Sequence, residues 1–340
     1  MIKKALIAIS VASTFALVGA ELLVAAEKSV SVGGRVRGWI QLTDSAKDGS
    51  DVYSATTNRV LPMHFKADSR LGASGSTKDG GYTGSFHVER AFNNGAMGGE
   101  SNRNAYAKLA TAGWAVSLGK QAQPYICHTG KADLDNIGGN DCPMWSGRAE
   151  SLGVQLNNVG PATVKFNYQA NNVSGTDQHQ TRVIPHASMS IAGINLDVVI
   201  VSGSTKSDKG WGLLDNGTAT KSTESQTALA VSGSAGDISY AVGMNNSSNK
   251  VGDADATTGA IITLGLKYSL GATGAIGFLY DSNTTKVGDA TGTSSGTRFS
   301  YGTTIAGVKI GAGMRNATSK VGDGDAAATA KMSIGFQYGF

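Results

Sequence analysis

Apolar residues in this chain fall on every second position rather than in long runs. Near the start, Val30, Val32, Gly34, Val36, Gly38, Ile40 and Leu42 share one parity, and Ser31, Gly33, Arg35, Arg37, Trp39 and Gln41 share the other. At the far end Met332, Ile334, Phe336, Tyr338 and Phe340 alternate with Lys331, Ser333, Gly335, Gln337 and Gly339. A period of two places one set on each face of a β-strand. After the N-terminal segment, no run approaches the ~18 consecutive apolar residues that a membrane helix requires. Turned inward, such a face would build a soluble sandwich. Turned outward to lipid, it would build a membrane barrel with a polar lumen.

Counting strands separates the two. Segments with this pattern occur at about 30–43, 62–74, 82–92, 103–111, 113–119, 148–157, 162–170, 182–192, 194–204, 222–232, 237–245, 258–269, 274–281, 296–305, 308–315 and 328–340, sixteen in all. Their connections alternate in length. Tight turns are predicted at Asn158–Pro161, Ala192-Gly193, Gly233–Gly236, Leu270–Thr273 and Ala306-Gly307. Long polar segments lie between them at 44–61, 93–102, 120–147, 171–181, 205–221, 246–257, 283–295 and 316–327. Long loops at one end and short turns at the other predict an all-β fold, a sixteen-stranded antiparallel transmembrane barrel. A soluble barrel has no reason to sort its loops this way.

The first residues set the compartment. Lys3 and Lys4 precede an apolar stretch from Ala5 to Val18, and small residues follow at Gly19-Ala20 and Ala25-Ala26. This is the layout of a secretory signal peptide. It predicts a cleaved segment 1–26, with cleavage after Ala20 as the alternative, and one barrel domain over 27–340.

Composition agrees with an exported β-protein. There are 47 Gly and 5 Pro in 340 residues, and charged residues make up only 16%. The usual shares are about 7% Gly and about 25% charged. A net charge of +4 without any Lys/Arg block is too weak to suggest nucleic acid, and no such partner is expected. Two cysteines cannot form a four-thiolate metal site, five scattered histidines leave little material for a metal cluster, and no cofactor is expected.

The last third repeats itself. Lys250-Val251-Gly252-Asp253, Lys286-Val287-Gly288-Asp289 and Lys320-Val321-Gly322-Asp323 each sit in a long polar segment. The spacing suits one hairpin per repeat. Asp253 with Asp255, and Asp323 with Asp325, are weak Ca²⁺ candidates that lack the full ligand set of a calcium loop. Duplicated, solvated loop tips are the alternative.

The signal peptide, the sixteen strands and the terminal Tyr338-Gly339-Phe340 resemble the Gram-negative general porins, sixteen-stranded trimeric outer-membrane barrels. Ser69-Arg70-Leu71-Gly72 with Gly75-Ser76 is similar to their second-strand segment. Arg103, Tyr106 and Leu109, followed by Gly119-Lys120-Gln121 and Pro124, resemble the stretch leading into their constriction loop, although Lys120 stands where Arg is usual. The resemblance implies a water-filled channel for passive diffusion of ions and small hydrophilic solutes, and no enzymatic activity. It also implies a homotrimer in outer-membrane lipid and lipopolysaccharide. Phe336, Tyr338 and Phe340 would form the assembly signal read by the barrel-assembly machinery.

In that family the third long loop folds inward, with acidic loop groups facing basic wall groups. The loop at 120–147 offers Asp133, Asp135 and Asp141. The inward parity of the early strands offers Arg35, Arg37, Lys66, Arg70 and Lys108, with Glu89 as an acidic wall group; Arg90 breaks the parity. Opposed charges across a narrow lumen filter solutes by charge and size. Cys127 and Cys142 lie in the same loop and would pair in the oxidising periplasm; a metal site with His128 is the rival. The trimer would meet through the first and last strands, whose outer faces carry Gly34, Gly38, Ala67 and Ala73. Other readings are a substrate-selective channel, a structural or adhesive barrel, and an outer-membrane hydrolase. No Gly-x-Ser-x-Gly elbow context or His-Glu-x-x-His supports the last.

Overall fold

The computed structural model describes residues 27–46, 63–93, 100–123, 148–172, 178–207 and 222–340. The first half supplies β1 (Glu27–Ala46), β2 (Met63–Asp79), β3 (Tyr82–Asn93), β4 (Glu100–Ala110), β5 (Trp114–Ala122), β6 (Arg148–Val159), β7 (Ala162–Asn172) and β8 (Gln178–Ile191). The second half supplies β9 (Ile194–Ser207), β10 (Ser222–Ala235), β11 (Ile238–Val251), β12 (Thr257–Ser269), β13 (Ala275–Val287), β14 (Ala290–Ile305), β15 (Val308–Val321) and β16 (Ala327–Gly339). Each strand pairs antiparallel with the next, and β1 pairs with β16 to close the barrel. The predicted segment 1–26, and the predicted loop 120–147 from residue 124 on, lie outside the described residues.

Closure follows from the backbone. In hydrocarbon an unpaired N–H or C=O costs several kcal/mol, so a spanning sheet leaves no edge. The register from Arg35 opposite Gly339 to Ala46 opposite Ala328 removes that edge. It also keeps the alternation in phase, with Val36 beside Tyr338, Gly38 beside Phe336 and Ile40 beside Ile334.

The apolar parity faces outward. Val32, Ile262, Ile334 and Phe336 are exposed, while their strand neighbours Gly33, Thr263, Ser333 and Gly335 are half-buried or buried. An apolar outside with a polar inside is the inverse of a soluble barrel and suits lipid. Tyr82, Trp114, Tyr240, Tyr268, Tyr301 and Tyr338 share the outer parity near the short-turn end, as an interfacial aromatic girdle requires. Tyr82 and Trp114 meet edge to face at 6.4 Å.

Two expectations are corrected. The segments 246–257, 283–295 and 316–327 are mostly strand, since β11, β13 and β15 run through the Lys-Val of each repeat. The tips are tight turns with Gly252, Gly288 and Gly322 at φ of 57°, 56° and 56°. The repeated Lys-Val-Gly-Asp is thus a turn signal, Gly supplying the positive φ that a side chain resists. Second, Gly34 and Gly38 are not open seats for a neighbouring barrel. A Cβ on Gly38 would lie 3.2 Å from the Phe336 ring, and one on Gly34 would lie 2.9 Å from the Phe340 ring. The chain's own aromatics cover both.

Candidate functional site in the barrel lumen

The inner parity gathers the predicted wall residues into two places. Arg35 stands opposite Arg70 across β1 and β2, with Arg37 two positions along, and all three are half-buried. Glu89 on β3 stands opposite Gly72, diagonal to Arg70, beside a bulge at Glu89/Arg90. Arg90 is exposed and pairs with Leu71 on the outer parity. Lys66 holds the β2 position opposite Trp39. Lys108 is separate, near the turn end of β4. Asp133, Asp135, Asp141, Cys127 and Cys142 lie outside the described residues.

Further lumen charges sit on later strands. Arg182 on β8 reaches Glu224 on β10, its Nη2 donating at 2.6 Å and its Nε at 3.1 Å to one carboxylate oxygen. The strand between contributes Gly203, opposite both residues. A Cβ there would lie 2.9 Å from Arg182 Cγ, so glycine makes the saddle over which the side chain passes. The arrangement recurs across the barrel. Arg315 on β15 donates to both Asp281 oxygens on β13, at 3.2 and 3.1 Å, passing over Gly296 on β14. Asp281 is 3% exposed, so the Arg315 Nη2 shared between its two oxygens offsets its desolvation.

Cations dominate the wall beside it. Arg298, Arg315 and Lys331 stand in register across β14, β15 and β16. Arg298 is 2% exposed. Reading only the early strands misses this row, and the signal that finds it is the same parity carried to the C-terminal strands.

On the inner wall of β5–β7 an amide network anchors the exit to 124–147. Ser117 Oγ donates to Gln121 Oε1 at 2.8 Å, and Gln121 Nε2 donates to Ser151 Oγ at 3.1 Å. Gln123 Nε2 donates to Ser151 Oγ at 3.0 Å, while Asn167 Nδ2 donates to Gln123 Oε1 at 3.1 Å. Next to it on β8–β10, Ile184, Val199, Val201, Ala228 and Ala230 form a buried apolar cluster on the lumen parity. His186 Nε2 lies 3.0 Å from Asp197 Oδ1, and among the described residues no Ser or Thr hydroxyl bonds to that imidazole. The described residues also contain no cluster of three or more His, Cys, Asp or Glu that could hold a metal. Asp253, Asp255, Asp323 and Asp325 are exposed at hairpin tips.

Comparison with known proteins gives the same architecture. Among curated proteins none matches the chain by sequence. Its fold is similar to the anion-selective porin from Comamonas acidovorans, with TM-score 0.66 and 13% identity over 92% of this chain and 100% of that one. It is similar to the outer-membrane channel DcaP of Acinetobacter baumannii, with TM-score 0.67 and 12% identity over 92% and 97% of the two chains. It is also similar to OmpT of Vibrio cholerae in its trimer form, with TM-score 0.64 and 15% identity over 92% and 99%. At these identities the likeness speaks for the fold. The family rests on sequence, because the profile of the Gram-negative porins matches residues 5–182, just over half of the chain. With a lipid-facing apolar exterior around a charged lumen, the chain belongs to the Gram-negative porins, outer-membrane barrels that form channels for passive diffusion.

Proposed function

We propose that this porin passes ions and small hydrophilic solutes without a tight binding step, and that its lumen favours anions. The observation behind this is the distribution of wall charge. Among the described residues the inner parity carries Arg35, Arg37, Arg70, Lys108, Lys165, Arg182, Arg298, Arg315 and Lys331 against Glu89, Asp197, Glu224 and Asp281, so cations outnumber acids on the wall. Charge of one sign between low-dielectric walls raises the local concentration of the opposite ion. The porin from Comamonas acidovorans, similar in fold, is described as anion-selective.

Three further elements belong to the proposal. The segment 124–147 narrows the lumen, setting Asp133, Asp135 and Asp141 against the basic wall. The working unit is a homotrimer in lipid and lipopolysaccharide, in keeping with the trimer form of the Vibrio cholerae OmpT. Residues 1–26 direct export and are cleaved, after which Phe336, Tyr338 and Phe340 engage the assembly machinery.

Swelling of proteoliposomes in sugars of graded size tests the passive, size-limited channel. Swelling should be fast for small sugars and fall smoothly with mass. No swelling, or swelling for one sugar alone, would overturn the reading.

A further inference from the structure

Lys108 and Lys165 share one recess in the inner wall. The cavity measures about 520 Å³ and lies over β3–β8, near the turn end of the barrel. Its floor is small: Ser117 stands opposite both Lys108 and Gly153, and Gln155 stands opposite Lys165. A Cβ on Gly153 would lie 2.5 Å from Ser117 Oγ, so this glycine keeps the floor low. Tyr106, His87 and His186 complete the polar rim.

Two properties set the recess apart from the rest of the lumen. No carboxylate lines it among the described residues. Of the inner-parity acids nearby, Asp197 is held by His186 at 3.0 Å, and Glu89, opposite the lining Asn104, is itself engaged. Lys108 and Lys165 have no hydrogen-bond or ion-pair partner among the described residues, unlike Arg182 and Arg315. Two of the lining amide oxygens are already used, while Asn104 Oδ1 has no partner among the described residues. Gln121 Oε1 accepts from Ser117, and Gln123 Oε1 accepts from Asn167. The donors on offer are two ammonium groups, the Tyr106 hydroxyl and the His87 ring.

Two like charges facing one water-filled recess repel each other, and an anion between them relieves that repulsion. An ion with two negative charges and several acceptor oxygens answers both ammonium groups at once. The site is open and water-reached, so binding stays weak enough for release, as conduction requires. We propose that this recess is a transit subsite for small dianionic oxyanions, phosphate or a short dicarboxylate, held between Lys108 and Lys165. The proposal rests on the reading of the barrel as an open channel.

The test uses the full-length porin in planar bilayers carrying chloride current, with inorganic phosphate or succinate added at constant ionic strength. Each wild-type arm should show a saturable fall in chloride current. Lys108→Gln with Lys165→Gln should raise the half-effect concentration on the order of ten-fold. Lys108→Arg with Lys165→Arg should keep it, and Lys267→Gln, a lumen lysine outside the recess, should leave it unchanged. An effect of either ion that the Gln pair loses supports the subsite, and the arm that responds identifies the oxyanion. An open channel indifferent to both ions, or a Gln pair that behaves as wild type, overturns the subsite alone. Absence of any channel overturns the pore reading with it. If the Gln pair does not assemble, each single variant should show an intermediate shift, and two unshifted singles overturn the proposal.

Discussion

Gly34 and Phe340 exchange both of their backbone hydrogen bonds, Gly34 N–H donating to Phe340 O at 2.8 Å and Phe340 N–H donating to Gly34 O at 3.1 Å. The chain's final residue therefore closes the barrel as well as adding apolar area. Its ring covers Gly34, where a Cβ would also lie 2.3 Å from Arg70 O. Deleting Phe340 should sharply lower surface yield, while barrels refolded in detergent stay heat-resistant. Normal surface yield would reduce Phe340 to its packing. Gly34→Val should instead destabilise the assembled barrel by about 1–3 kcal/mol through overpacking, read as a lower dissociation temperature on gels.

Gly203 and Gly296 make a second pair of testable positions. Gly203→Val should block the Arg182 crossing and part it from Glu224, and Gly296→Val should do the same to Arg315 and Asp281. Each should cost about 1–3 kcal/mol by crowding alone. Gly296→Val should cost more, since it strands the nearly fully buried Asp281. Equal melting temperatures for the two variants would contradict this ranking.

How far the sequence carries can be judged from these elements. Period-two alternation locates all sixteen strands, because each strand divides lipid from water and its side chains must alternate. Strand ends are less legible. Thr, Ser and Asn in 246–257, 283–295 and 316–327 read as loop, but they pair across strands as readily as they face water. The Gly of Lys-Val-Gly-Asp was the available marker of a tight turn. In the lumen, the parity that brings Arg35, Arg37 and Arg70 together could be read from one strand at a time. The Arg182–Gly203–Glu224 bridge could not, since it joins three strands whose register no single segment encodes.

Asp281→Asn and Arg315→Gln should move selectivity in opposite directions. Removing the carboxylate releases Arg315 into the lumen and should shift the zero-current potential toward anions. Removing the guanidinium subtracts a wall cation and should shift it toward cations, with a stability loss of about 3–5 kcal/mol from the unpaired buried carboxylate. Shifts of the same sign would contradict the charge assignment.

The proposed Cys127–Cys142 pairing predicts that reduction, or Cys127→Ala, raises conductance or current noise. Closing a loop of this size restricts it by roughly 3 kcal/mol of chain entropy. Alkylation of native oxidised protein should find no free thiol, and two labelled cysteines would remove the pairing.

The most direct measurement is the zero-current potential of the purified porin in a planar bilayer under a KCl gradient. Stable conductance steps should appear, grouped in threes for a trimer, with a potential whose sign reports chloride as the more permeant ion. A barrel that inserts but does not conduct, or one whose potential reports potassium as the more permeant ion, would contradict an open lumen with a cationic wall.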